Sequence, residues 1–227
     1  MTYGLQVQNT TLGLQIDGNS QQYALVSKGV VSNVAVYNPP QFWSFTHNSA
    51  ANPVMGLRAT NCFASVEFVR KDGNAYTFRI YCVKATAGAY INWYMFDVPS
   101  LGRRGSGYGL EVYNDAGTTI VSDEYPLLKI VDVRSGGYDI SSGSLAGGRT
   151  YAQITSSGLW SNWIVEVGDS LTSQVQYIRT YAVGGWRWDG TSFSVDTNGA
   201  TQPHEYRGFD DYSGGPSALI IADVTNL

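Results

Sequence analysis

The feature that most constrains this chain is that it is written twice. Tyr3 to Asn9 reads YGLQVQN, and Tyr108 to Asn114 reads YGLEVYN. Further echoes follow in the same order. YALV from Tyr23 is answered by YPLL from Tyr125, and FRIYCV (Phe78 to Val83) by IRTYAV (Ile178 to Val183). FDVPSL from Phe96 is answered by ADVTNL from Ala222. The offsets are 105, 102, 100 and 126 residues, so order is kept while loop lengths change. Ordered self-similarity of this kind marks tandem copies of one structural unit. The sequence predicts one module over 1–101, a linker over 102–107 (GRRGSG) and a second module over 108–227. A short run of Gly and Arg suits a boundary, where few contacts cross.

Both copies read as β-structure. Leu5 and Val7 alternate with polar neighbours, as do Leu110 and Val112, and a period of two places them on one face of a strand. ASVEFVRKDGNAYTFRIYCV reads as two alternating strands around Asp72, Gly73 and Asn74. That is a hairpin signal, because Gly accepts the positive φ of a tight turn. No window carries the 3.6-residue apolar period of a helix. The predicted fold class is all-β, two tandem homologous β-sandwich domains.

Charge narrows the function. Charged residues make up 14% of the 227-residue chain, against roughly 25% in ordinary soluble domains. The formal net charge is −4, and no basic stripe exists to neutralise a phosphate backbone, so nucleic acid is not expected as a partner. No apolar run reaches the roughly 18 residues that span a bilayer, and MTYGLQVQN lacks the charged and apolar regions of a signal peptide. The expectation is a protein made in a cytosol. Two cysteines, Cys62 and Cys82, lie in strand-like text. They are too few for a disulfide framework and are read as buried free thiols.

The copies differ in one place. Between the YCV or YAV strand and the DV strand, the first copy has 13 residues (84–96) and the second has 39 (184–222). The insertion, near 184–217, is rich in rings and carboxylates. Long insertions on β scaffolds often carry binding. Trp186, Trp188, Tyr206, Phe209 and Tyr212 are therefore the candidate binding residues. Rings and carboxylates suit stacking on sugars; Trp, Tyr and Arg equally suit a protein interface. The segment WRWDGTSFSV also reads as an extra hairpin whose rings pack on their own domain.

No catalytic constellation stands out. His47 and His204 are read as exposed loop histidines, His47 without a nearby acid. No nucleophile elbow occurs, and turn duty explains the Asp-Gly and Asp-Thr-Asn-Gly stretches. Neither cysteine belongs to a Cys/His cluster of metal-ligand spacing. Catalytic residues, metal ligands and cofactors are not expected, and the protein is read as a non-enzyme.

The residues that carry the repeat also carry a resemblance. YGLEVYNDAGTTIVSDEYPLLKIVDV (Tyr108 to Val133) and the closing LIIADVTNL (Leu219 to Leu227) resemble the two ends of a family of small tailed-bacteriophage virion proteins. Those open on a Tyr-Gly-Leu-x-Val-x-Asn strand, a Gly turn and a Tyr-Pro strand. The first copy matches less well, with Ala24 where Pro126 stands in the second. The resemblance implies a structural virion protein of the tail, baseplate or fibre-attachment region, assembled in the host cytoplasm. Its partners would be other virion proteins, in multiple copies of a symmetric assembly. The alternative is a receptor- or carbohydrate-binding module at the tail tip, with a host surface glycan as partner. No catalytic residue is carried over.

Overall fold

Alternation decides the local structure. In the segment Ala75–Val83, Tyr76, Phe78, Ile80 and Cys82 are buried while Thr77, Arg79 and Tyr81 are partly exposed, the signature of a strand with one face on a core. The computed structural model describes residues 7–8, 15–16, 22–36, 41–98, 111–113, 117, 119–122, 126–135, 142–155, 159–168, 175–202, 213–214 and 218–227. Among these, every regular element is a strand. The first repeat supplies β1 (Val7–Gln8), β2 (Gln15–Ile16), β3 (Ala24–Val31), β4 (Gln41–Asn48), β5 (Val54–Thr60), β6 (Phe63–Asp72), β7 (Ala75–Val83) and β8 (Tyr90–Asp97). The second supplies β9 (Glu111–Tyr113), β10 (Thr119–Ser122), β11 (Lys129–Ser135), β12 (Ser142–Ser144), β13 (Tyr151–Thr155), β14 (Leu159–Gly168), β15 (Val175–Asp189), β16 (Ser192–Gln202), β17 (Ser213–Gly214) and β18 (Ala218–Asp223).

Two large antiparallel sheets result. One has the order β11-β18-β13-β5-β8-β3; the other runs β12-β16-β15-β6-β7-β4, with β14 also on β15 and β17 on β14. The sheets face each other as a sandwich. Met55, Leu57, Ile91 and Met95 of the first meet Val66, Phe78, Ile80 and Cys82 of the second in one core cluster. Leu219 and Ile221 meet Trp186, Trp188 and Phe193 in another.

The all-β sandwich is as predicted, but its partition differs. Both sheets run through both halves. The six-stranded order is a palindrome: first long strand, last strand and middle strand of one half, then middle, last and first of the other. The halves join at β5 and β13, where Leu57 pairs with Gln153 and Gly56 with Ile154. Taken apart, each half would expose an unpaired edge at that join, and pairing removes both edges. The predicted linker, 102–107, lies outside the described residues.

The same sheet curls until its outer strands touch. Ala24 bridges Leu127; Leu25 N donates to Pro126 O at 2.8 Å and Leu128 N to Tyr23 O at 2.8 Å. Pro126 serves as acceptor only, which suits a residue without an N–H. The curl encloses a second core on the face turned away from the sandwich, formed by Phe96, Ala152, Ile154, Ala222 and Val224 with Leu25, Val54 and Leu128.

Register fixes the true correspondence of the halves. Val7 pairs with Ile16, and Val112 with Val121, an offset of 105 for both residues. Bulges fall between Leu25 and Ser27 in β3 and between Ile130 and Asp132 in β11, again 105 apart. Tyr23 and Tyr125, matched by sequence at 102, are therefore not equivalent. The FRIYCV and IRTYAV strands are equivalent: each returns in a hairpin, with Phe63 opposite Val83 and Trp160 opposite Val183.

Candidate functional site

The insertion is the first place to look, and it forms a strand pair. β15 continues past Val183 and turns at Asp189 to Ser192, where Gly190 takes φ +58°. β16 returns along it. Trp186, Trp188, Phe193 and Val195 share one face by the period of two. That face is the core. Trp186 is 1% exposed and Trp188 2%. The two indoles expected on a binding surface are therefore core residues, because the curled sheet presents Tyr151, Leu219 and Ile221 opposite them. The W-R-W spacing, with Arg187 exposed between two rings, carried this signal. Tyr206, Phe209, Tyr212 and His204 lie outside the described residues.

Polar groups lock the hairpin down. Trp188 Nε1 donates to Gln153 Oε1, and Gln153 Nε2 donates to Ala64 O at 3.1 Å. One buried amide thus ties β13, β15 and β6 together. Arg58 reaches the same corner, donating to Tyr151 O and Gly190 O at 2.9 Å each and sitting 5.5 Å from the Trp188 ring. Burial lowers the Arg58 pKa from its ordinary value, opposed by Tyr94 and Tyr90. Gly185 lies where β15 crosses β6, and a β-carbon there would fall inside the Ala64 backbone.

Sequence reasoning missed a second cluster. His47 lies on β4 and is only partly exposed; its Nε2 is 2.8 Å from Asp97 Oδ2. The acid stands 50 residues away and meets the histidine through the fold. Ser49 Oγ donates to Asp97 Oδ1 at 2.9 Å, and Val98 N does so at 2.7 Å. Serine, histidine and aspartate are together, yet the aspartate takes both partners. A nucleophile requires a base on its own hydroxyl, and Ser49 Oγ instead faces Asp97 and Ala51 N. The arrangement braces the loop after β4. Tyr23 OH donates to Asn52 O at 2.6 Å and Tyr76 OH to Asn52 Oδ1 at 3.1 Å. Burial, then the nearby Asp97 and Tyr76, raises the Tyr23 pKa.

The equivalent aspartate of the second half is Asp223. It pairs with Arg149 and lies 3.6 Å from Lys129 Nζ, and it accepts from Thr225 N at 3.0 Å. Burial, the largest influence, pushes its pKa up, but the hydrogen bonds from Thr225 and Arg149 outweigh it and leave the carboxyl below its ordinary value. Cys62 and Cys82 are free and buried; hydrogen bonding to Cys62 and burial push the Cys82 thiol well up, so it stays protonated and unreactive. No group of three or more potential metal ligands occurs among the described residues.

Three of the exposed large apolar residues lie on one strand. Ile130, Val131 and Val133 of β11 are 50%, 39% and 59% exposed. β11 is the last strand of its sheet, paired with β18 on one side. Among the described residues its other side is paired only at Leu127, just before the strand.

Compared with protein-family models, curated proteins and solved structures, the chain gives no match. No helix among the described residues is long and apolar enough to cross a membrane.

Proposed function

We propose that this protein is a structural, non-catalytic component that works through protein–protein contacts. The setting is the one its repeat resembles: the tail, baseplate or fibre-attachment region of a tailed bacteriophage, with several copies obeying the particle's symmetry. The observation that carries the contact reading is β11. Three branched apolar residues stand exposed on a strand at the end of a sheet. Such an edge offers main-chain hydrogen bonds and side-chain area to an added strand. The sugar-binding alternative loses its two leading residues, since Trp186 and Trp188 have no free ring face to stack on a sugar.

The test is complementation with Ile130→Thr, Val131→Thr and Val133→Thr combined. The variant keeps its thermal transition but fails to enter particles. Particles that incorporate it normally, or from which the wild-type protein is missing altogether, overturn the proposal.

A further inference from the structure

One lysine sits on the wrong face of its strand. β6 keeps a regular register with β7 from Phe63 to Phe68, which pairs with Phe78. A bulge between Phe68 and Arg70 then shifts the register, so that Arg70 faces Thr77 and Lys71 faces Tyr76. Tyr76 is buried, on the core side of β7 with Phe78 and Ile80. Without the extra residue, Lys71 would stand on the outer face with Glu67. Bulges commonly re-aim a side chain beside a functional site. Here the ammonium is carried to the mouth of a cavity, 4.8 Å over the Tyr76 ring. Among the described residues it has no carboxylate partner.

The cavity measures about 400 Å³ and lies between the two sheets, lined by Met55, Val66, Phe78, Lys71, Tyr76 and Thr155 among others. That volume falls within the ~300–1,000 Å³ of small-molecule sites. Its wall is mainly apolar, with few polar groups. Thr155 Oγ1, contributed by the second half, is buried with no hydrogen-bond partner among the described residues. Both halves supply the wall, so the site exists only in the joined molecule.

We propose that this cavity binds a small amphipathic carboxylic acid. The apolar body lies against Met55, Val66 and Phe78. The carboxylate meets the Lys71 ammonium at the mouth. Charge selects the acid over its alcohol; the apolar wall selects it over a sugar.

The experiment is titration of the full chain with octanoate and with octan-1-ol, followed by calorimetry and ligand-observed NMR. Octanoate binds at one site per chain, at least tenfold tighter than octan-1-ol. Lys71→Gln, an exposed change that leaves the fold intact by circular dichroism, removes that preference and leaves the alcohol unaffected. Val66→Trp fills the cavity and abolishes both. If Val66→Trp does not fold, Thr155→Leu serves as the filling variant. Absence of octanoate binding, equal affinity for acid and alcohol, or an acid preference surviving Lys71→Gln overturns the proposal. Failure of particle incorporation with β11 variants leaves these results untouched, so the two proposals stand or fall separately.

Discussion

At the end of β7 the chain turns away: Val83 closes the strand and Lys84 takes φ +50°. At the matching point of the second half, Gly184 and Gly185 carry β15 straight on to Asp189. From that divergence the halves acquire different sheets. In the first, β4 lies beside β7. In the second, β16 takes that place beside β15, and the short β12 is displaced to the outside. The insertion is thus absorbed as an added strand, and its described rings fill the space between the sheets. For the described rings, Trp186, Trp188 and Phe193, aromatic content in an inserted segment is a packing device. The comparison also shows equivalent positions filled by different chemistry. Met55 in one half corresponds to Gln153 in the other, and the equivalent carboxylates are held differently: Asp97 by His47 and Ser49, Asp223 by Arg149 and Lys129.

Trp188→Ala breaks the comparison hardest. Removing a buried tryptophan costs about 3–5 kcal/mol, and Gln153 loses its indole donor as well. Urea denaturation followed by hydrogen exchange checks it. Because the sheets are shared, amides of β7 lose protection together with those of β18. Protection of β7 that is unchanged would restore two independent modules.

Gly185→Ala comes next. Its new methyl meets backbone, which cannot swing aside, so the cost reaches or exceeds the ~1–3 kcal/mol of ordinary overpacking. Gly143→Ala is the matched control: its nearest neighbour is the end of the Arg134 side chain, which can move, and the effect stays within about 0.5 kcal/mol. Chemical denaturation midpoints for the two variants separate rigid from yielding neighbours.

The aspartates sharpen the comparison through pH. The folded pKa of Asp223 lies below its ordinary value. Its contribution to stability is therefore complete above the unfolded value of about 3.9 and is lost as pH falls through the folded pKa. The thermal stability gap between wild type and Asp223→Asn should hold from pH 7 to about 5, then narrow towards pH 3. A gap that widens on acidification contradicts the assignment.

The smallest effect belongs to Lys84, whose Nζ reaches Asp196 Oδ2 at 2.7 Å between the halves. Both groups are over a third exposed, so Lys84→Gln costs at most about 1 kcal/mol. Thermal melts at low and high salt test it, since screening shrinks the loss further.

Much of this was readable beforehand. The 105-residue echo of the opening strands holds in register, the turn at Gly73 is present, and the insertion is the hairpin that WRWDGTSFSV spells. Periodicity reports such local facts directly. It does not report which edges meet. Nothing near Gly56 or Ile154 announces that β5 will pair with β13, and no local pattern brings Asp97 to His47. The YALV and YPLL match misled because similar letters sit three residues out of register, and only the bulges show this. Of the two readings that the rings of WRWDGTSFSV allow, a binding surface or packing on their own domain, Trp186 and Trp188 follow the second, and their spacing around Arg187 already describes a buried face.

Gly56 and Ile154 hold equivalent positions, and they face each other where the halves meet. A β-carbon on Gly56 would lie 3.3 Å from Ile154 Cγ1 and 3.3 Å from Phe96 Cε2. A symmetric dimer of half-length chains must place the same residue on both sides of its axis. Two glycines there would leave a void, and two isoleucines would overfill it. Joining the copies in one polypeptide frees the two sides to evolve apart, one shrinking as the other grows. At this seam the two halves are therefore complementary rather than interchangeable: neither carries the residue that pairing with a rotated copy of itself would need.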